Sequence, residues 1–166
     1  EITLIRQENH EAHYRKRVRL NGVPRRAMDL LGQLNVVLFL PEDIALISGP
    51  PAGRRRYLDA MLCQINPAYC RTLASYNQVV TQRNALLRDL RERGGDPSRL
   101  IFWNERLIDH GTSLFIQRQR ALTALDGLAY YIHAELTDGA EGLHLRYLPS
   151  VGATEEQGPE AVTALF

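Results

Sequence analysis

Two apolar patterns separated by a glycine pair constrain this chain more than any other feature. Tyr69, Leu73, Tyr76, Val80, Arg83, Leu87 and Leu90 recur at alternating steps of four and three, a heptad seam with one charge in it at Arg83. Gly94-Gly95-Asp96-Pro97-Ser98 then ends that helix and turns the chain. Leu100, Trp103, Leu107, Leu114, Ala121, Ala124, Leu128 and Tyr131 repeat the spacing, with His110 and Gln117 as polar interruptions. A helix from Ser98 to about Thr137 is roughly 60 Å long at about 1.5 Å per residue, and Gly111 is a candidate kink in it. Two amphipathic helices joined by a tight turn bury their seams against each other, so the pattern predicts a long antiparallel helical hairpin.

The residues before this arm read differently. Ile2 and Leu4 alternate with polar neighbours, as do Tyr14, Val18 and Leu20 with Arg15, Arg17 and Arg19, and both stretches predict strands. Gln7 to His13 is a polar loop between them, and Asn21-Gly22 is a hairpin-turn signal because both positions tolerate positive φ. A short helix is expected over Arg26 to Leu31. Val36-Val-Leu-Phe39 is a continuous apolar run and predicts a strand buried on both faces. Pro41 suits the first turn of a helix and Glu42-Asp43 favour its positive end. Gly49-Pro50-Pro51 stops that helix. The next begins near Ala52 or Gly53, with Tyr57, Leu58, Met61, Leu62 and Ile65 on one face, and Asn66-Pro67 breaks and restarts the chain, Asn66 being a candidate N-cap. Beyond Asp138-Gly139, Leu143, Leu145 and Tyr147 alternate as a return strand. Pro149 to Pro159 is acidic and rich in Gly, Thr and Gln, a composition that predicts a mobile tail, and Glu160 to Phe166 reads as the first turns of another helix. The fold class is therefore α+β and mainly α. Three regions follow: a β-rich part over 1–40, a helical part over 41–138, and a return strand with a tail over 139–166.

Composition narrows the chemistry. No apolar run approaches the length that spans a bilayer, and no signal-peptide pattern is present, so a cytoplasmic protein with no membrane partner is expected. A net charge of +1 excludes a uniformly basic nucleic-acid binder, so any DNA contact must be a local patch. Lys16 is the sole lysine against 19 arginines. A phosphate-binding P-loop needs a lysine beside a glycine-rich turn. Lys16 lies instead in Tyr14-Arg-Lys-Arg-Val-Arg-Leu20, which contains no glycine. Cys63 and Cys70 form no metal or redox spacing and read as reduced, small apolar groups.

Two basic clusters are candidate phosphate contacts. Arg15, Arg17 and Arg19 share one face of a strand, next to Lys16, a spacing that suits a DNA backbone; a solvated edge strand guarded by charge gives the same pattern. Arg54-Arg55-Arg56 open a helix, where consecutive residues diverge, so the three cannot all face one ligand. At least one of them packs or pairs locally, with Asp59 as a candidate partner. His10 and His13, with Glu8 and Glu11, have no established metal spacing. His110, His133 and His144 are too scattered to form a site, and helix-end charge accounts for Glu42-Asp43. No catalytic, cofactor or metal residue is assigned.

The order of several words is more specific than any one of them. Phe39-x-Pro41-Glu42-Asp43, Gly49-Pro50 followed by Arg54-Arg-Arg-x-Leu-Asp59, Pro67-x-Tyr69, Tyr76-x-x-Val79 and Gln82-Arg83-Asn84-Ala-Leu-Leu87 occur in sequence. Trp103 and Arg118 follow in the returning helix. This combination resembles the RecF family of DNA replication and repair proteins, whose ATPase head is built like those of the SMC and ABC proteins. The resemblance runs from about residue 14 to residue 148. It implies that the β-rich part is a remnant of the first ATPase lobe and that the hairpin is the helical second lobe. Family members have a P-loop before this region and an ABC-type signature and Walker B strand after it. None of the three is found here, so the chain resembles an excised middle fragment without ATPase activity of its own. Leu40 replaces a frequent serine. The stretch after Val37 resembles a Q-loop without its glutamine, so it receives no nucleotide role.

For the complete protein the resemblance implies ATP and magnesium as cofactors and a weak, DNA-dependent ATPase. It also implies an ATP-dependent homodimer on DNA at single-strand gaps or stalled forks, the RecO and RecR mediators as partners, and a part in recombination and the SOS response. Two other classes are open: an SMC-like structural head, which would need a longer coiled coil, and a free-standing helical interaction module, which would not explain the flanking strands.

Overall fold

The computed structural model describes residues 2–6, 14–33 and 35–149. The loop containing His10 and His13, with Glu8 and Glu11, and the tail from Ser150 onward lie outside the described residues. The chain divides into two compact units, Glu1–Pro67 and Ala68–Phe166.

The first unit opens with a three-stranded antiparallel sheet in the order β1 (Ile2–Arg6), β2 (Tyr14–Leu20), β3 (Val23–Arg25). Asn21 and Gly22 take positive φ of 50° and 80°, as a two-residue turn that follows the sheet's twist requires. β2 is thus the central strand rather than an edge, with Thr3 paired to Arg17 on one side and Pro24 paired to Arg19 on the other. The helix expected over Arg26 to Leu31 is a 3₁₀ turn, Ala27–Leu30, closed by the Asp29 carboxylate on the Arg26 N–H at 3.0 Å.

The run from Val36 to Phe39 departs from expectation. It forms no strand, and Val37 and Phe39 are 94% and 82% exposed. A strand buried on both faces needs a neighbour on each side and a layer on each face, and the described residues supply neither. The Val36 N–H is instead taken by Gln64 Oε1 at 2.8 Å.

The next words of the sequence are turn and cap chemistry. Pro41 opens a 3₁₀ turn, Pro41–Ile44, and the Asp43 carboxylate reaches back to the Leu40 N–H at 2.8 Å. The turn runs into a single helical turn, α1 (Ala45–Ser48). At Gly49 a Cβ would stand 2.4 Å from the Ala45 carbonyl oxygen, which is backbone and cannot yield, so glycine is required there. α2 (Pro51–Ile65) starts one residue earlier than expected, with Pro51 at its first position. Its buried face is Leu58, Leu62 and Cys63; Tyr57 and Ile65 are exposed, so the face is rotated from the one predicted. Asn66, extended at φ −137°, separates α2 from the next helix.

The second unit is the hairpin: α3 (Pro67–Arg93), a turn containing a 3₁₀ segment (Pro97–Leu100), and α4 (Ile101–Leu136). Gly94 and Gly95 take φ of 73° and 130°, and Asp96 caps the 3₁₀ segment through the Ser98 N–H at 2.8 Å. Two polar rungs fix the antiparallel register. Tyr69, fully buried, accepts from Arg118 Nε at 3.0 Å, and Arg83 Nε donates to Asn104 Oδ1 at 2.7 Å. The charge within the predicted seam is therefore a paired side chain. The predicted apolar seam holds at most of its positions, with Tyr69 buried and Leu73, Tyr76, Val80 and Leu90 half-buried; it departs from expectation in burying Val79 more deeply and leaving Leu87 37% exposed. Helix α4 runs unbroken through Gly111, which is buried with Thr112, Leu114 and Phe115.

α4 outlasts α3, and its final turns carry the segment after Gly139. Leu143, Leu145 and Tyr147 are half-buried and alternate with exposed neighbours, as predicted, yet they form no ladder. Side chains hold the segment instead: Asp126 accepts the Leu145 N–H at 2.5 Å, His144 stacks on Tyr130 with ring centroids 5.2 Å apart, and Tyr147 packs on Phe115 at 5.5 Å.

Candidate nucleic-acid interface

A strand places alternate side chains on opposite faces, and β2 divides its basic residues accordingly. Arg17 and Arg19 are exposed on one face, about 7 Å apart at some 3.4 Å per residue. Val18, 5% exposed, lies on the other face with Lys16, and Arg25 pairs across from Val18 on that same face. The structure thus brings Arg17 and Arg19 together and sends Lys16 to the opposite side. Arg15 follows the same alternation as Arg17, and its side chain lies outside the described residues. Arg25, at the end of β3, and Arg26, which follows it, are exposed basic residues that the sequence reading did not single out. The Asn21-Gly22 hairpin, which folds β3 back onto β2, was the signal for them.

The arginine triplet separates as helix geometry demands. Arg54 Nη1 donates to the carbonyls of Leu46, Ile47 and Gly49 at 3.0 to 3.2 Å, closing the end of α1. These are the carbonyls that a helix terminus leaves unpaired. Arg55 and Arg56 are exposed, and Asp59, one turn on, is half-buried. All three arginines are exposed, but Arg54 is committed to local carbonyls.

The remaining motif words find mostly structural places. Asp43 caps, Gly49 permits close backbone approach, Pro50 is extended ahead of α2, and Arg83 bonds to Asn104. Tyr76 is half-buried, while Glu42, Gln82 and Asn84 are exposed. Among the described residues no group of three or more His, Cys, Asp or Glu side chains gathers for a metal ion, and no helix is long and apolar enough to cross a membrane.

No family model matches the chain. Individual proteins do. Over 140 residues it is 49% identical to the DNA replication and repair protein RecF of Herpetosiphon aurantiacus, covering 83% of this chain and 36% of that protein. It is 43% identical over 149 residues to RecF of Chloroflexus aurantiacus, covering 86% and 38%. Among solved structures, the recombination mediator protein RecF with ATP, in the RecFOR pathway, superposes with a TM-score of 0.85 at 29% identity, over 92% of this chain and 40% of that one. The chain thus spans well under half the length of the relatives it matches.

Proposed function

From the premise that this stretch of chain belongs to the RecF family, we propose that it serves a DNA replication and repair protein by contacting the DNA backbone. Arg17 and Arg19 are the principal contacts, and Arg55 and Arg56 contribute; Lys16, on the opposite face of β2, does not share their contact. The observation that carries the reading is the shared exposed face of Arg17 and Arg19 on a central strand, with Val18 anchoring the opposite face. Two cations fixed by a sheet lose less conformational freedom on meeting phosphates than two on a loop. Phosphate contact of this kind carries no sequence information, so the contribution is affinity and positioning.

The whole protein's activity is part of the same proposal. ATP and magnesium would serve a head in which this chain is one portion. Lys16 sits within β2 opposite Leu4, away from any glycine turn, and so is poorly placed to cradle a triphosphate. Dimerisation on DNA, RecO and RecR as partners, and recombinase loading at gaps belong to that complete assembly. What supports them is the family and the setting named for the solved relative.

The isolated chain tests the backbone reading. Fluorescence anisotropy with a mixed-sequence duplex should show weak, sequence-independent binding, in the range of about 10⁻⁴–10⁻⁶ M at physiological salt. Replacing Arg17 and Arg19 together with alanine should weaken it with the circular dichroism unchanged. Equal affinity in the double variant would remove these residues from the interface.

A further inference from the structure

Lys16 and Arg25 are exposed cations that the contact through Arg17 and Arg19 leaves unused. They belong to the other face of the sheet. Arg25 pairs across from Val18, and Lys16 lies two residues from Val18 along β2, which makes them diagonal neighbours about 7–8 Å apart. Val18, which both flank, is buried, so the sheet fixes these two cations on its second face as it fixes Arg17 and Arg19 on the first. Residues 14–28 carry six cations and no carboxylate, in a chain whose net charge is +1. The first acid after them, Asp29, takes the Arg26 N–H at 3.0 Å. The β2–β3 hairpin is therefore basic on both faces, and its leading turn, Asn21-Gly22, is small.

We propose that the β2–β3 hairpin enters the major groove of duplex DNA and meets the backbones of both strands, with Arg17 and Arg19 on one and Lys16 and Arg25 on the other. The inference rests on the backbone reading above and extends it from one face of the sheet to two. Thickness selects the groove. Sheets pack face to face at about 10 Å, so one layer with its side chains has about that depth, and the long stems of lysine and arginine carry their charges to its outer limits. The major groove is about 12 Å wide and admits a two-stranded ribbon, whereas the minor groove is only about 6 Å wide. Charge placement selects the ligand. A single strand or an acidic protein surface satisfies one basic face, but cations on two opposed faces need anions on two sides at once. The phosphates that border a duplex groove supply both. These contacts orient the duplex without choosing its sequence.

Anisotropy of a labelled mixed-sequence duplex tests the two-faced mode in this chain. Replacing Lys16 and Arg25 together with alanine should make the slope of log K against log salt shallower by about 1.8, as replacing Arg17 and Arg19 should, at some 0.9 per contact. Arg88 and Arg91, exposed on α3, are the control pair, and their double alanine variant should keep the parent slope. Circular dichroism of each variant checks the fold. For the unaltered chain, a duplex whose major groove is filled by glucosylated hydroxymethylcytosine should bind at least about fivefold more weakly than the same duplex unmodified. Netropsin in the minor groove should leave affinity as it was. An unchanged slope in the Lys16 and Arg25 variant, with the Arg17 and Arg19 effect intact, would overturn the two-faced mode and leave the backbone reading standing. An unchanged slope in the Arg17 and Arg19 variant would remove that reading and this inference with it. Equal affinity for the glucosylated duplex, displacement by netropsin, tighter binding to oligo(dT), or an equal loss in the control pair would likewise overturn the proposal.

Discussion

Arg118 on α4 donates through Nε to the hydroxyl of Tyr69 on α3 at 3.0 Å, and Tyr69 has no exposed surface. A buried phenol held by a guanidinium on the facing helix sets the hairpin's register near the start of α3, as Arg83 and Asn104 do near its turn. Tyr69→Phe keeps the ring and deletes the acceptor. It should cost about 1.5–3 kcal/mol, the worth of a hydrogen bond to a charged group. Tyr69→Ala also empties the ring's volume and should cost about 3–5 kcal/mol. Urea unfolding of the three proteins at matched m-value checks both figures.

The exposure of Leu87 makes a second prediction. Leu114 is 1% exposed and Leu87 is 37% exposed, although both lie on the heptad positions read from the sequence. Leu114→Ala should cost about 2–5 kcal/mol. Leu87→Ala should cost less, about 1–2 kcal/mol, because over a third of that residue's surface never leaves water. Comparable costs in denaturant titrations would restore the original seam.

The segment after α4 should respond to acid. The Leu145 N–H, and then the neighbouring His144 and Arg146, hold the Asp126 carboxyl below the ordinary aspartate range. A depressed folded value means that the stabilisation is present above the unfolded value, about 3.9, and is lost as the pH falls through the folded value. The attachment of residues 143–147 should therefore persist at neutral pH and loosen below about pH 4. Asp126→Asn should remove this acid dependence. Hydrogen exchange of the Leu145 amide against pH reads the effect, and protection that is flat between pH 6 and 3 in the parent would contradict it.

Punctuation was the most legible part of the chain. Gly94-Gly95 and Asp138-Gly139 ended helices where they should, since positive φ at these places is a local requirement. Pro41 marked a helix start for an equally local reason, whereas Pro51, read as part of a stop, opens α2. Distant partners were not legible. A heptad count fixes a face only to within a neighbouring row, and packing selected Val79 over Leu87. Apolarity at Val36 to Phe39 signals burial without supplying the strands that would bury it. In the candidate interface, alternation along β2 correctly paired Arg17 with Arg19. That one arginine of the triplet would bond locally was legible from helix geometry; that it would be Arg54, turned back to three carbonyls, was not, because that contact depends on how α1 ends.

The salt dependence of DNA binding by the full-length protein tests the central claim most directly, with Arg17 and Arg19 both replaced by alanine and affinity for a mixed-sequence duplex measured across a salt series. If both side chains contact phosphates, the slope of log K against log salt should become shallower by about 1.8, at some 0.9 per contact. Affinity should fall for every sequence tested, with the fold unchanged by circular dichroism. Unaltered affinity and an unaltered slope would contradict the account and leave β2 with a structural role alone.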